Sequence, residues 1–444
     1  MRKTFYFLLA GVMAVFAAQA QPARYVVMIS IDGFRPDFYK DKSWGAVNLQ
    51  QLMENGAYAD GVRGVFPTVT YPSHTTIVTG VMPLKHGIYY NTPFEPGGVT
   101  GRWYWEYDSV KVPSLWTAVK DAGLRSACIW WPVTVNAPIT YRLPEVWALP
   151  RTNRQASIET LRKAANPAGL LDELLENATG KLALNDLGGD YLSADENNAR
   201  MSAYLIRTYK PNFLAVHLAC TDHFEHEEGR DGPKVRQAVA GADRAVRTIL
   251  ESIEIAGIKD STTVLIVGDH GFVDIHTSLA PNVWLAKAGL IGKDEWKAMF
   301  HQSGGSAFLH LKNKNDEKTL KQVKELLAAL PESTRKLFRV VERKELDAIG
   351  SDPNAVLALA PIQGITISTA TTGEVLRPAK GGTHGYFPDF KEIQTGFIAS
   401  GAGIKKGTVI PVMGLEDIAP LVARLLGLSL PTADGVLYPG ILGK

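Results

Sequence analysis

Short, almost wholly apolar runs recur along the chain, and three of them stop at or just before an acidic side chain. Residues 25–31 (YVVMISI) stop at Asp32, residues 213–220 (FLAVHLAC) stop just before Asp222, and residues 263–268 (TVLIVG) stop at Asp269. Apolar runs of this length without polar alternation are typical of strands that are covered on both faces. The three runs therefore predict strands.

Segments with a helical repeat of apolar positions separate these runs. The clearest is residues 234–255, where Val235, Val239, Val246 and Ile253 fall on one helical face. The other predicted helices span residues 45–56, 113–122, 155–179 and 196–208. Strands that alternate with helices indicate an α/β fold, a mainly parallel sheet with helices on both faces.

Residues from about 285 to 375 follow a different pattern. They contain a strand-like SAFLHLKN, a charged helix over residues 317–329, and the further strand-like runs RVVERKEL and QGITIS. This region supplies none of the candidate ligands described next. We predict a smaller α+β insertion that packs beside the main sheet.

Candidate metal ligands collect where the predicted strands end, which is where open α/β sheets place their ligand sites. They are Asp32, Asp222, His226, Asp269, His270 and His384, the last in the glycine-rich stretch 381–386. Three carboxylates and three imidazoles suit zinc, and six ligands suffice for two ions with open positions. A single such Asp is often a helix N-cap, so the prediction depends on all six together.

The remaining histidines carry less information. Asp222 and His226 are four residues apart and would share one helical face. His217, His223, His301 and His310 have no such arrangement, and we interpret them as structural.

A candidate nucleophile lies in the run FPTVTYPSHT, residues 66–75. Pro72 and Ser73 predict a helix that begins close by, which places Thr70 near a helix N-terminus, where anions are favoured. A threonine hydroxyl is a weak nucleophile unless a base or metal activates it. Zinc held by Asp32, Asp269 and His270 would do so; without those residues, the run would be a turn before a capped helix.

Composition sets limits on these hypotheses. The 444 residues are 45% apolar and 21% charged, with a formal net charge of +2, which is ordinary for a soluble globular protein of one large domain or two. No dense run of Lys and Arg supports a surface for a nucleic-acid duplex. Any nucleotide recognition would then be local to a pocket.

The N-terminus resembles an export signal. Arg2 and Lys3 precede the apolar residues 5–17, and Ala18-Gln19-Ala20 forms a small-x-small cleavage site. We predict a signal peptide over residues 1–20, a mature chain over residues 21–444, and a secreted or periplasmic location. An uncleaved anchor is the alternative, and no later segment is long and apolar enough to span a bilayer.

The two cysteines leave two readings open. Cys128 and Cys220 both lie in apolar, strand-like runs, where a buried free cysteine is a common core residue. A single disulfide bridge between them in an oxidising compartment is the alternative.

Six stretches together resemble the nucleotide pyrophosphatase/phosphodiesterase family of the alkaline phosphatase superfamily. They are residues 29–39, 66–91, 113–132, 221–226, 267–272 and 381–388, spread over most of the mature chain in the family's order. The resemblance implies an alkaline-phosphatase-like core and a hydrolase that acts on phosphodiester or phosphoanhydride bonds. The implied substrates are small phosphodiesters or nucleotides.

The resemblance also implies a role for each matching residue. One zinc would be held by Asp32, Asp269 and His270 and would contact Thr70 as nucleophile. A second zinc, held by Asp222, His226 and His384, would activate the water that hydrolyses a phospho-threonine intermediate. Asn91 would donate a hydrogen bond to a phosphoryl oxygen, helped by backbone N–H groups near Thr70. Tyr71 would stack on a nucleobase or would only pack.

Departures from the family pattern leave substrate choice open. Ser73-His74 replaces the family's usual pair after the nucleophile's proline, and Ala219-Cys220-Thr221 precedes Asp222 where acidic residues are usual.

A phosphomonoesterase is the main alternative, and it would need cations to bind a doubly charged phosphoryl group. The candidates near the motifs are Arg35, Lys85, Arg102 and Lys111. A catalytically silent binding protein would need a lost nucleophile or ligand, and a sulfatase a different nucleophile motif. The oligomeric state is left open.

Overall fold

A computed structural model describes residues 23–182, 189–293 and 295–443. The predicted signal peptide lies outside these residues. The strands are β1 Tyr25–Ile31, β2 Ala57–Ala59, β3 Val62–Arg63, β4 Ser126–Ile129, β5 Tyr141–Leu143, β6 Phe213–Leu218, β7 Thr262–Val267, β8 Val273–Asp274, β9 Thr277–Leu279, β10 Ala298–Gln302, β11 Ala307–Leu311, β12 Phe338–Glu342, β13 Leu357–Pro361, β14 Ile365–Ile367, β15 Leu376–Pro378, β16 Gly382–Thr383, β17 Phe397–Gly401, β18 Thr408–Ile410 and β19 Met413–Gly414.

The α-helices cover the sheet and connect its strands. They are α1 Asp37–Lys40, α2 Val47–Asn55, α3 Thr70–Thr79, α4 Pro83–His86, α5 Leu115–Asp121, α6 Arg154–Ala164, α7 Leu170–Leu174, α8 Tyr191–Tyr209, α9 Cys220–Glu228, α10 Pro233–Ile255, α11 Pro281–Lys287, α12 Glu317–Ala328, α13 Glu332–Arg335, α14 Arg343–Ala348 and α15 Ile418–Leu426.

The main sheet has eight strands in the order β18-β2-β17-β7-β1-β6-β4-β5. Five neighbours, β7-β1-β6-β4-β5, are all parallel, whereas β17 runs antiparallel to both of its neighbours. The three predicted strands are β7, β1 and β6, which the structure places next to each other at the middle of this sheet. The predicted mainly parallel α/β fold is confirmed.

Alternation along the central strand explains why it carries almost no polar residues. Val27 and Ile29 of β1 belong to one core cluster, which contains α8 and α10, whereas Val26 and Met28 belong to a second cluster, which contains α5 and α15. Successive side chains of a strand point to opposite faces, so a strand with helices on both sides must be apolar at every position.

The predicted helices form with small changes at their ends. Residues 234–255 become α10, with buried Val235, Val239 and Val246 on the face toward the core. The helix predicted over residues 155–179 is instead interrupted: α6 ends at Ala164, and Ala165 is extended. Pro167 explains the interruption, because proline disfavours the helical conformation in the residue before it and supplies no backbone N–H.

Residues 298–361 contain a separate antiparallel sheet, in the order β10-β11-β13-β12. The strand predicted near residues 306–313 is β11, and the charged helix predicted over residues 317–329 is α12. This sheet and α12 enclose a core cluster of their own, which includes Leu309, Val323 and Leu359. The boundaries of an inserted unit stay a prediction.

Two smaller observations complete the fold. Both cysteines, Cys128 and Cys220, are free and buried. Among the described helices, none combines the length and apolar character that a bilayer crossing requires.

Candidate metal centre and catalytic cleft

Adjacent strand ends bring the first three candidate ligands together. Asp32 follows β1, and Asp269 and His270 follow β7, its parallel neighbour. The Nε2 atom of His270 lies 3.2 Å from Oδ1 of Asp32 and 3.2 Å from Oδ2 of Asp269. All three residues are buried. Asp32 is more than two hundred positions away from Asp269 and His270 in the sequence, yet ligand atoms of all three lie within 4.8 Å of one another.

The other three candidates come from α9 and a returning loop. Asp222 and His226 lie on α9, which follows β6, and Nε2 of His226 lies 3.4 Å from Oδ1 of Asp222. His384 follows β16, and its Nε2 lies 3.4 Å from the same Asp222 oxygen. Gly381 permits this approach: a Cβ there would lie 2.1 Å from the carbonyl oxygen of His226.

The two groups share one imidazole. The rings of His270 and His384 are stacked, with centroids 3.6 Å apart, and ligand atoms of Asp222, His270 and His384 form the second tight group. His226 is the outlying member, with a side chain that is 42% exposed. All six predicted ligands therefore converge, although the second group is tightest around His270 and not around His226.

Hydrogen bonds from the opposite ring nitrogens fix the orientation of three imidazoles. Nδ1 of His226, His270 and His384 lies 3.0, 3.2 and 2.9 Å from a backbone carbonyl oxygen. A carbonyl oxygen can only accept, so each Nδ1 carries a proton, and Nε2 is the ring atom left to bind a cation at the cluster. This arrangement is the usual one for histidines that bind metal.

The carboxylates have unsatisfied oxygens that face those Nε2 atoms. Oδ1 of Asp32, Oδ1 of Asp222 and Oδ2 of Asp269 are buried and accept no hydrogen bond from any described residue. Burial, with the nearby Asp269 and Asp222 charges, raises the pKa of Asp32 well above its ordinary value, and burial raises that of Asp269 to about 7. Acceptors crowded around a buried centre need a cation to balance them, so the residues fit divalent metal.

Thr70 lies at the first position of helix α3, with Val69 as the N-cap. Its Oγ1 is 3.5 Å from Nε2 of His270, on the side of the first ligand group. Thr70 is nearly buried, at 7% exposure, and it lines the same cavity as Asp32 and Asp222. The hydroxyl is thus beside both candidate metal positions and open to the cleft.

The contacts of Asn91 and Tyr71 change the roles that the family resemblance implies for them. The backbone N–H of Tyr71 donates to Oδ1 of Asn91 at 2.9 Å. This N–H, at the N-terminus of α3, is therefore not free to bind a phosphoryl oxygen. That bond leaves the Nδ2 group of Asn91 as its donor. Tyr71 itself is completely buried, and its ring packs edge-on against Trp103 at 5.1 Å.

The cleft continues from Thr70 into a cavity of about 240 Å³. Trp103, Trp130 and Trp147 line it, together with Glu145 and Arg151. Arg151 packs over the ring of Trp147, with its guanidinium carbon 4.4 Å from the ring centroid. The aromatic surface that is open to a ligand therefore comes from the half-buried Trp103 and Trp130, which the sequence did not single out, whereas Trp147 is buried.

The four cations considered from sequence contact other groups. Arg35 pairs with Glu225 and Asp37, Lys85 with Asp434, and Arg102 with Glu106, whereas Lys111 packs near the ring of Tyr89. None of the four is among the residues that line the described cavity.

Two histidines that the sequence did not assign to the site contact its residues from below. His217, which the sequence suggested to be structural, places Nε2 3.1 Å from Oδ2 of Asp32. His74 places Nδ1 2.8 Å from the carbonyl oxygen of Thr70 and Nε2 2.8 Å from the hydroxyl of Ser30. Ser30 and His217 are register partners on β1 and β6. Polar side chains near the carboxyl ends of otherwise apolar strands were the available signal.

Comparison with known proteins gives a family. A model described as type I phosphodiesterase / nucleotide pyrophosphatase matches residues 26–387. Human ectonucleotide pyrophosphatase/phosphodiesterase family member 5 is 24% identical over 444 aligned residues, which cover 97% of this chain and 80% of that protein. The chain spans between 24% and 46% of the length of several other curated relatives.

Solved structures agree in fold. The human family member 5 structure matches with a TM-score of 0.69 and 19% identity, covering 95% of this chain and all of that one. An inactive variant of the murine protein, solved in complex with AMP, matches with a TM-score of 0.67 at the same identity and the same coverage. The alkaline-phosphatase-like architecture of the core is thereby established.

Proposed function

The chain belongs to the type I phosphodiesterase / nucleotide pyrophosphatase family, and we propose that it hydrolyses phosphodiester or phosphoanhydride bonds with Thr70 as nucleophile and two zinc ions as cofactors. The observation that carries the proposal is the position of Thr70: its Oγ1 lies 3.5 Å from Nε2 of His270, beside two groups of converging His and Asp ligands. Neither a nucleophile nor a ligand is missing, which argues against a silent binding protein.

The residues divide into two metal-binding sets. Asp32, Asp269 and His270 would hold the ion next to Thr70, and Asp222, His226 and His384 would hold the other. Bound there, zinc ions lower the pKa of an adjacent hydroxyl or water and neutralise charge on the phosphoryl group. His226, His270 and His384 suit this role because each Nδ1 donates to a backbone carbonyl oxygen, which leaves Nε2 as the ligand atom.

The chain's own groups account for the rest of the chemistry. Oγ1 of Thr70 would form a bond to phosphorus and give its proton to solvent, while the bond to the leaving oxygen breaks and that oxygen departs with the electron pair. Water would then form a bond to the same phosphorus, the bond to Oγ1 would break, and Oγ1 would regain a proton from solvent. The Nδ2 group of Asn91 would donate to a phosphoryl oxygen, since its Oδ1 is already engaged by the N–H of Tyr71.

Nucleotide-type esters are the substrates that the comparisons favour. A structural neighbour was solved with AMP, and one relative is named as a bis(5'-adenosyl)-triphosphatase. The tryptophans of the cleft could stack on a flat group of the ester next to the reacting phosphorus. They would replace the stacking on a nucleobase that the resemblance implies for Tyr71. Secretion into the periplasm or beyond, after removal of residues 1–20, remains part of the proposal.

Arg151 favours a second candidate, a phosphomonoesterase. It is the cation that lines the cavity with Thr70, and a doubly charged phosphoryl group needs such a partner. Because the guanidinium already packs on Trp147, we rank diester hydrolysis first.

The deciding experiment compares a diester and a monoester that share a 4-nitrophenolate leaving group, using protein loaded with zinc. We expect kcat/KM for the diester to exceed that for the monoester by at least about tenfold, or about 1.4 kcal/mol. Arg151→Gln should leave the diester rate within about twofold, since Asn91 donates to one oxygen of a singly charged group.

Three results would contradict the proposal. Equal or reversed rates that collapse in Arg151→Gln would establish the monoesterase. Turnover that persists in metal-free protein, or metal analysis that finds less than about one equivalent in active protein, would remove the two-zinc site from the reaction.

A further inference from the structure

The loop between α14 and β13 contacts the catalytic region through three consecutive residues. The carbonyl oxygen of Gly350 accepts from the N–H of Leu84 at 2.8 Å, and the hydroxyl of Ser351 donates to the carbonyl oxygen of Phe66 at 2.8 Å. The carboxylate of Asp352 accepts from the hydroxyl of Tyr90, also at 2.8 Å. We name residues 350–352 the clasp. Its partners lie within residues 66–90, the stretch that holds Thr70 and precedes Asn91.

The polar contacts of the clasp are buried. Ser351, Asp352 and Tyr90 are 0%, 1% and 2% exposed. The second oxygen of Asp352 accepts from the N–H of Asn354 at 2.8 Å, so the carboxylate is held from both sides. Buried hydrogen bonds to a charged acceptor are among the stronger and more directional contacts in a protein, so the clasp fixes geometry as well as packing.

Tyr90 connects these contacts to Asn91, the next residue in the chain. The ring of Tyr90 packs edge-on against His301 at 4.4 Å and against Phe308 at 5.1 Å, both on the antiparallel sheet. Asn91 follows directly, and its backbone carbonyl accepts from the N–H of Tyr104 at 3.1 Å. The side-chain oxygen of Asn91 accepts from the N–H of Tyr71. Asn91 is thus held by these two hydrogen bonds and by its peptide bond to Tyr90.

The surroundings of the Tyr90 hydroxyl leave Asp352 as its main partner. Nε2 of His310 lies 3.4 Å from that hydroxyl and 3.7 Å from the Asp352 carboxylate, which is longer than a good hydrogen bond. Arg343 contacts the backbone carbonyl of Asp352 at 2.7 Å and so supports the loop, not the carboxylate oxygens.

We infer that Tyr90 and Asp352 are positioning residues, through which the antiparallel sheet holds the Nδ2 donor of Asn91 at the phosphoryl oxygen. This inference depends on the proposed function of Asn91. It assigns a catalytic contribution to a region that supplies no metal ligand. A donor acts well only when it is already aimed at the charge that develops, and displacements near 1 Å are costly.

The test is a double-mutant cycle on the zinc-loaded protein with a diester substrate. Tyr90→Phe keeps the ring and removes the hydroxyl, and Asp352→Ala removes the acceptor. Each change should lower kcat about tenfold with KM within about twofold, because the donor acts on the transition state. In an Asn91→Ala background the same changes should lower kcat by less than about twofold, since the donor that they position is gone.

Controls separate positioning from stability. Tyr39→Phe is matched, because Tyr39 is also fully buried and donates its hydroxyl to a backbone carbonyl, that of Ala59, without contact to Asn91. It should leave kcat within about twofold. Asp352→Asn, which keeps an acceptor for Tyr90, should recover most of the rate that Asp352→Ala loses.

The outcomes distinguish the two hypotheses. If Asn91→Ala alone leaves the rate unchanged, the proposed role of Asn91 is wrong. If Asn91→Ala slows the enzyme but Tyr90→Phe does not, or slows it by the same factor in both backgrounds, the positioning role is wrong and the clasp is purely structural. Metal content equal to that of the unaltered protein would exclude an indirect loss of zinc.

Discussion

The Nε2 atom of His217 lies 3.1 Å from Oδ2 of Asp32, beneath the oxygen of Asp32 that faces the candidate metal position. Both side chains are buried, and burial lowers the pKa of His217 to about 4. The imidazole is therefore neutral at pH 7, and its Nε2–H donates a hydrogen bond to the carboxylate of Asp32. Such a bond fixes the orientation of a ligand and adjusts its affinity for metal.

We predict that His217→Gln weakens zinc binding about 10- to 100-fold, the usual cost of losing a partner of a metal ligand. Competition with a chromophoric chelator would measure the affinity. His276→Gln is the matched control, since His276 is exposed and contacts Thr277 rather than a ligand. Equal affinities in the two variants would mean that the bond to Asp32 has no role in metal binding.

Thr70→Ala should abolish turnover while metal content and fold persist. The change removes the attacking oxygen and leaves all six protein ligands in place. Steady-state rates and metal analysis of the same sample check both halves of the prediction. A variant that keeps more than about a tenth of the rate would show that water attacks phosphorus directly.

Removal of metal should destabilise the protein as well as inactivate it. Three buried carboxylate oxygens at the site lack a hydrogen bond, and a bound cation relieves their repulsion. Zinc at about 100 times its dissociation constant would add about 2.7 kcal/mol to the free energy of unfolding. Thermal melts with and without a chelator measure this. The difference in melting temperature with and without chelator should be the same in Thr70→Ala as in the unaltered protein, and it should be small in Asp269→Ala.

The tryptophans of the cleft should control substrate preference. Trp130→Leu is expected to lower kcat/KM for a thymidine 4-nitrophenyl diester about 5- to 100-fold, because Trp130 is half-buried and lines the cavity, and a stacked base is worth about 1–3 kcal/mol. The methyl 4-nitrophenyl diester, which offers no flat group beyond the leaving group, should change less than about twofold. Trp296→Leu is the control, as Trp296 packs on Phe94 and does not line the cavity.

Glu145 should make stability depend on pH in a defined direction. Burial raises its pKa to about 8, so between about pH 4.3 and pH 8 the folded state holds a proton that the unfolded state releases. The free energy of unfolding therefore falls as pH rises through this window, by at most about 1.4 kcal/mol per pH unit from this group.

Glu145→Gln removes that contribution. The difference in unfolding free energy, variant minus unaltered protein, should grow from pH 5 to pH 8 in urea titrations of the zinc-loaded protein. Glu251→Gln, on the exposed face of α10, should give a difference that stays flat. A flat difference for Glu145→Gln would show that the carboxylate is already ionised at neutral pH.

Much of the site was visible in the sequence because it follows from local pattern. The apolar runs predicted that Asp32 and Asp269 each follow a strand, and the structure adds that these two strands, β1 and β7, are parallel neighbours. The four-residue spacing of Asp222 and His226 put both on α9, where they contact. Proline and serine signals put Thr70 near the start of α3.

Other features needed the tertiary structure, because their partners are remote in sequence. The bond of His217 to Asp32 spans 185 positions and that of Tyr90 to Asp352 spans 262. Periodicity reports which face a side chain occupies but not which group from another segment it meets. The exposure of an aromatic residue is decided in the same way, and Trp103 covers the ring of Tyr71.

The sequence by itself therefore indicated the fold class and the six candidate ligands, because it showed which side chains lie at or beyond the ends of the strands. Strand order, and with it which of those candidates meet, was decided by the tertiary structure. The packed structure alone decided the contacts that orient those side chains, the position of Arg151 in the cleft, and the hydrogen bond from Tyr90, the residue before Asn91, to Asp352 of the clasp. Such contacts arise from close packing of surfaces that are distant along the chain, and no local pattern of residues encodes them.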